Sequence, residues 1–197
     1  MDTSIKIKKK KKIDSSKYIN LFRINYSKSG EILSWDCAKI HDSVSALLYD
    51  EDKKLFLLVK QLRVPFLYRQ LKEGISLNTK KLGYTYELCS GLMDKGLSEE
   101  ETIKEEIFEE VGYRVGKVKK IGTFYGGLGT SASKQTFFYA TISDYMKTGK
   151  GGGIDDEDIE LFYLPLSKVK GFIDDESFVK PASLAYCFMW WFDRFKG

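Results

Sequence analysis

Gly91-Leu-Met-Asp-Lys-Gly-Leu-Ser-Glu-Glu-Glu-Thr-Ile-Lys-Glu-Glu-Ile-Phe-Glu-Glu-Val-Gly-Tyr113 is the stretch whose reading decides the fold. A strand, Tyr84 to Cys89, leads into it, and a tight glycine loop follows. A helix is predicted over Ser98 to Val111. Ser98 suits the N-cap, and Glu101 three residues on completes a capping box, each side chain bonding the other's backbone N–H. Ile103, Ile107 and Val111 recur at i, i+4 and i+8, an apolar stripe that packs a helix onto a sheet. Gly112 can take the left-handed conformation that ends a helix. On another face Glu106, Glu109 and Glu110 stand at i, i+3 and i+4, so their side chains converge. Such like charges repel, and alone they make an ordinary solvated acidic face. With the glycines before and after at fixed offsets, a hard divalent cation is the better reading, because carboxylate oxygens suit Mg²⁺.

Outward from this segment the pattern is mainly of strands. Tyr18–Tyr26 and Ile32–Lys39 read as a hairpin around Lys28-Ser29-Gly30, followed by strands at Ser43–Tyr49 and Leu55–Gln61. Pro65 ends that region, and residues 66–83, polar and aperiodic, read as a loop or insertion. Downstream, Lys119–Tyr125 and Gln135–Ser143 read as strands joined by a Gly/Ser/Thr-rich segment. Residues 147–160 read as an exposed acidic loop, Ile159–Leu164 as a strand, Ser167–Ile173 as a short helix and Pro181–Phe195 as an aromatic-rich helix. Trp190, Trp191, Phe188 and Phe192 are expected in core or dimer packing. No repeat or linker interrupts the chain, so the expected class is α+β, layered as an α/β/α sandwich.

Composition narrows the function. The chain has 197 residues, 43% of them hydrophobic, which suits one domain with a small appended element. The net charge of +4 is more than accounted for by Lys6 and Lys8 to Lys12. The remaining body is neutral to slightly acidic and would track a polyanion poorly, and no aromatics interleave the lysines, so no nucleic-acid partner is expected. The cysteines Cys37, Cys89 and Cys187 are odd in number with no CxxC, which argues against disulfides or structural zinc and for a reducing cytoplasm. No apolar run approaches the ~18 residues of a spanning helix, so no membrane is expected. The single histidine, His41, suits a structural turn better than a triad, and neither GxxxxGK[ST] nor GxSxG occurs.

The segment Gly91–Tyr113 resembles the Nudix box, G-x5-E-x7-R-E-U-x-E-E-x-G-U with U apolar. Gly91, Glu106, Ile107, Glu109, Glu110 and Gly112 fall in register. Leu97 and Glu105 depart, standing where the family has a Glu and an Arg that typically pair; Lys104 or Glu99 to Glu101 are the candidates for replacement contacts. The blocks His41-Asp-Ser-Val44, Val59-Lys-Gln-Leu-Arg63, Glu87-Leu-Cys-Ser-Gly91, Gly151-Gly-Gly153 and Leu164-Pro-Leu166 look like the uridine diphosphate sugar diphosphatase branch, close to the ADP-ribose pyrophosphatases. The likeness runs from about residue 22 to about 193.

The resemblance implies an α/β/α Nudix sandwich over 43–197 and an N-terminal β element, residues 1–42 with their basic leader, exchanged in a homodimer. It implies Mg²⁺, with Mn²⁺ as the alternative, held by Glu106, Glu109, Glu110 and the backbone carbonyl near Ser90 or Gly91. Glu109 also enters the catalytic set. Arg63 would contact the diphosphate, Glu87 would lie near substrate and metal, and Trp35 or Tyr125 would stack on nucleobase or sugar. A base outside the helix is expected in the loop Gly151–Glu160, with Glu157 first and Asp155 second, its glycines letting the loop swing over the substrate. The expected reaction takes UDP-glucose to UMP and glucose 1-phosphate. The alternatives are an ADP-ribose pyrophosphatase giving AMP and ribose 5-phosphate, or a non-catalytic nucleotide-binding module.

Overall fold

Three strands carry apolar residues on both faces, and that double burial requires helices on both sides of their sheet. The computed structural model of the chain describes residue 5 and residues 7–74, 82–154 and 157–195. The chain forms two compact units: residues 1–41 with 125–133, and residues 42–124 with 134–197.

The second unit is built on a mixed sheet. Its central strands are β3 (Ser43–Asp50), β4 (Leu55–Leu62) and β8 (Ser133–Ile142), with β5 (Tyr84–Glu87) and β7 (Lys119–Gly126) outside them in the order β5-β4-β3-β8-β7. β6 (Cys89–Leu92) pairs with β3, and β9 (Ile159–Pro165) pairs with β4. β3 runs antiparallel to β4 and parallel to β8. The two-residue period of these strands separates two cores. Val44, Ala46, Leu48, Leu57, Val59, Phe138 and Ala140 face Ile103, Ile107 and Val111 of the acidic helix. Leu47, Tyr49, Phe56, Leu58, Phe137 and Tyr139 face α3 (Val169–Asp174) and α4 (Ala182–Phe195). There Phe56 meets Phe188 and Trp191 edge-on at 4.9 and 5.1 Å between ring centres, so the aromatic helix serves core packing. The expected α/β/α sandwich is therefore observed. Among the described residues no helix is long and apolar enough to cross a membrane.

The first unit is a hairpin of β1 (Asn20–Lys28) and β2 (Glu31–Lys39), turning at Ser29-Gly30. Its register puts Phe22, Ile24 and Tyr26 opposite Cys37, Trp35 and Leu33, all on one face, while Arg23 pairs with Asp36 on the other. The turn 127–132 is tied to β2: Ala38 N–H donates to the Thr130 carbonyl at 3.0 Å and the Trp35 indole N–H to the Gly129 carbonyl at 2.8 Å.

Three expectations change. Residues 66–83 contain not a loop but α1 (Val64–Glu73) in their first half. Pro65 sits in the first turn of this helix, where its missing N–H costs nothing, and Gly74 ends it at φ +63°. The expected strand Tyr84–Cys89 is two strands, β5 and β6, broken at Leu88. Gly91 lies within β6, opposite Val44, and not in a tight loop.

Candidate active site

The acidic helix begins as expected. In α2 (Glu99–Glu106) the Ser98 hydroxyl accepts from Glu101 N–H at 3.2 Å, and the Glu101 carboxylate accepts from Ser98 N–H at 3.0 Å. At Ile107 the helix widens into a π-turn, Ile107–Val111, and Gly112 closes it at φ +81°. Such a turn rotates later side chains relative to a continuous α-helix.

Glu99 anchors the first turn. It accepts from Lys120 and Lys134 at 3.0 and 2.8 Å and from the Thr136 hydroxyl at 3.0 Å, tying the helix to β7 and β8. Glu105, where the family's arginine is absent, lies 3.5 Å from Lys95. The Lys134 ammonium foremost, with Lys120 and Thr136 adding to it, outweighs the burial penalty and lowers the Glu99 carboxyl from 4.5 to about 2. A lowered folded-state value gives stability that is present above the unfolded value and lost as pH falls through the folded one. Replacing Glu99 with Gln should therefore cost roughly 1–2 kcal/mol at pH 6. The gap to the parent should close between pH 4.5 and about 2. Thermal unfolding of both proteins across that range checks this; a gap independent of pH would refute it.

The three glutamates take different partners in the tertiary structure. Glu106 lies against β6: a Cβ added at Gly91 would meet its carboxyl carbon at 2.1 Å. Glycine here leaves the space that the carboxylate occupies. Glu110, only 4% exposed, accepts from Ser90 N–H at 3.0 Å and faces the Cys89 thiol. Glu109 turns instead to Lys95, at 3.3 Å. Among the described residues, no three carboxylate, imidazole or thiol groups are drawn together as a finished metal cage.

Electrostatics nonetheless mark the place. Burial foremost pushes the Glu106 carboxyl up to about 7; Lys95 opposes this, while the charges of Glu109, Glu157 and Asp94 add to it. Burial likewise pushes Glu110 up to about 8, against the Cys89 and Ser90 hydrogen bonds, with Glu106 and Glu157 adding to it. Acids pushed together out of water are unfavourable without a counter-charge. An all-oxygen donor set of this kind fits a hard divalent cation.

Arg63, at the start of α1, grips Glu87 of β5 with two parallel bonds, from Nε at 2.9 Å and Nη2 at 2.6 Å. Burial alone would raise Glu87, but Arg63 and the Thr85 hydroxyl outweigh it and hold the carboxyl below its ordinary value. The charges of Glu110 and Glu157 also act on Arg63. Trp35 and Tyr125 belong to the other unit.

The glycine-rich segment does not hang free. Thr148 and Gly149 N–H both donate to the Gly112 carbonyl at 2.9 Å. Gly152 N–H donates to Glu110 O at 2.8 Å, and Gly153 N–H to Glu109 O at 3.1 Å. These are carbonyls that a helix end leaves without intrahelical partners. The glycines serve close docking on the π-turn, since a Cβ at Gly151 would meet Glu110 O at 2.7 Å. Glu157 follows: its carboxylate accepts from Ile154 N–H at 3.2 Å and lies where a Cβ of Gly153 would be. Asp155 lies outside the described residues. Sequence reading expected a swinging loop, because glycines at this density signal freedom until their docking partner is known.

A family model described as the NUDIX domain matches residues 39–182. Uridine diphosphate glucose pyrophosphatase NUDT14 of Mus musculus is 32% identical over 204 residues, covering 91% of this chain and 90% of that protein. Its Bos taurus counterpart is 34% identical, covering 90% of each. A GDP-mannose pyrophosphatase of Escherichia coli O1:K1 is 34% identical over 165 residues, covering 81% of each. Among solved structures, the crystal structure of an ADP compounds hydrolase superposes with a TM-score of 0.71 over 95% of this chain and 91% of that one. At 16% identity that likeness speaks for the fold alone.

Proposed function

Since the chain belongs to the Nudix family, we propose that it hydrolyses the diphosphate of a nucleoside diphosphate sugar, with UDP-glucose giving UMP and glucose 1-phosphate as the leading reaction. The observation that carries this is the acidic cluster against β6: half-buried Glu106 occupies the space beside Gly91, buried Glu110 accepts from Ser90 N–H, and the charge of Glu157 reaches both. The relatives named for UDP-glucose cover 91% and 90% of this chain and the one named for GDP-mannose covers 81%, which supports testing the uridine compound first.

Mg²⁺, or Mn²⁺ in its place, would be held by Glu106, Glu110 and Glu109, with the backbone at Gly91 beside them. For Glu109 this means releasing Lys95. Bound there, the ion supplies charge neutralisation and Lewis acidity for the diphosphate. Arg63 supplies directed donors. A guanidinium has five N–H groups, Glu87 takes two, and the rest can reach phosphate oxygens. Glu87, kept ionised, fixes the plane of that fork. Glu157 takes the proton from the attacking water, with Asp155 as the second choice.

Residues 1–42 are assigned to dimerisation and 43–197 to catalysis. The hairpin face carrying Phe22, Ile24, Tyr26, Leu33 and Trp35 is apolar and exposed. A lone two-stranded hairpin is marginal in water, and an exposed apolar patch of this kind marks an interface. A second copy of the chain is the proposed cover. Sedimentation showing only monomer at micromolar concentration would remove that assignment. The free thiols Cys37, Cys89 and Cys187 suit a cytoplasmic setting.

The deciding experiment measures UDP-glucose, GDP-mannose and ADP-ribose side by side, with and without Mg²⁺. UDP-glucose should turn over fastest, and only with the ion. Fastest turnover of ADP-ribose would move the assignment to an ADP-ribose pyrophosphatase. Tight binding without turnover of any of the three would leave a nucleotide-binding module.

A further inference from the structure

We propose that Tyr84, acting through Asp158, is a positioning residue that fixes where the Glu157 carboxylate stands beside Gly153. This rests on the reading of Glu157 as the base. Glu157 lies between two anchors. On its N-terminal side, Gly152 and Gly153 are bonded to the carbonyls of Glu110 and Glu109. On its C-terminal side, the next residue, Asp158, accepts a hydrogen bond from the Tyr84 hydroxyl. Tyr84 begins β5, is 8% exposed, and pairs with Leu62, the neighbour of Arg63 in the chain. The phenol therefore reaches from the wall that carries Arg63 to the arm that carries Glu157.

The surroundings hold the phenol in place. Lys60 sits over its ring, 5.0 Å from the centre, and bonds Glu160 at 2.9 Å. Immediately beyond Asp158 the chain enters β9, where Ile159 pairs with Gln61. The first anchor is made of backbone and the strand is fixed by its ladder, so among the described residues Asp158 is the side-chain hold next to the base. A phenylalanine would fill the same space with the ring unchanged and lose only the oxygen. A buried tyrosine serving packing alone would not need its hydroxyl aimed at an exposed loop carboxylate. A misplacement of a reacting group by about 1 Å can cost on the order of 10²-fold in rate. Loosening one of two anchors should cost less.

The test uses the full chain with UDP-glucose and Mg²⁺. Tyr84→Phe should lower kcat roughly 10-fold, with KM within about twofold of the parent. In a Glu157→Gln background, itself much slower, the same change should add no further loss, because the group being positioned is gone. Asp158→Asn keeps an oxygen that accepts from the phenol and should retain most of kcat, whereas Asp158→Ala should match Tyr84→Phe. Equal fold-losses for Tyr84→Phe in both backgrounds, or parent-like kcat in both Tyr84→Phe and Asp158→Ala, would overturn the positioning role. Parent-like kcat in Glu157→Gln alone would instead remove the base reading, and this inference with it. Asp158 is exposed, so its variants keep the test open if the tyrosine change impairs folding.

Discussion

Glu110→Gln should lower kcat for UDP-glucose by roughly 10³-fold while the protein stays folded. The side chain is buried, pushed up to about 8, and accepts from Ser90 N–H. Glutamine matches it in volume and keeps an oxygen for Ser90, so no cavity opens. Burial favours the neutral form of this carboxyl when no cation is bound, and glutamine imitates that form. Stability without metal should therefore be nearly unchanged. The loss appears where charge is needed. The parent should gain in melting temperature as Mg²⁺ is added, since a ligand that binds only the folded state stabilises it. The variant should gain much less. Melting curves over a Mg²⁺ series, together with kcat, check both halves. Turnover within tenfold of the parent would show that the buried carboxylate is not part of the reaction.

Gly112→Ala should be strongly destabilising. The residue sits at φ +81°, where an L side chain is strained, and its Cβ would stand 2.3 Å from the Gly149 carbonyl oxygen and 2.7 Å from its carbon. Backbone cannot swing aside as a flexible side chain does. Left-handed strain of roughly 1–2 kcal/mol adds to the overlap. The total should reach roughly 3–5 kcal/mol, in the range reserved for named backbone and packing faults. At about 2–4 °C per kcal/mol for a protein of this size, the melting temperature should drop by roughly 10 °C. Gly116→Ala is the control, because nothing lies within 4 Å and no positive φ is recorded there. Equal melting temperatures for the two variants would sink the argument. Because the displaced segment leads to Glu157, activity below the transition should also fall.

Particular residues show how far local chemistry could be read. Ser98, Glu101 and Gly112 act as their types and spacing foretell, because capping uses neighbours within one turn. The apolar runs of β3 and β4 announced burial on both faces, and the two cores meet there. The first helix was missed because its signals conflict: Pro65 reads as a break unless the helix whose first turn it occupies is seen. Gln70, polar in the sequence, is buried and accepts from Gly83 N–H at 2.7 Å. Its partner is thirteen residues away, beyond any helical period.

Spacing along one segment determined the acidic helix, its caps, its apolar stripe and the layered fold, since each depends on contacts among near neighbours or on a period the chain itself carries. Tertiary structure alone decided which carboxylates meet. Glu109 pairs with Lys95, Glu110 accepts from Ser90 N–H, and Gly91 makes room for Glu106. It also pinned the glycine segment and linked Tyr84 to Asp158, 74 residues apart. Burial and charge at such a site are sums over groups brought together by folding, and no run of neighbouring residues contains them.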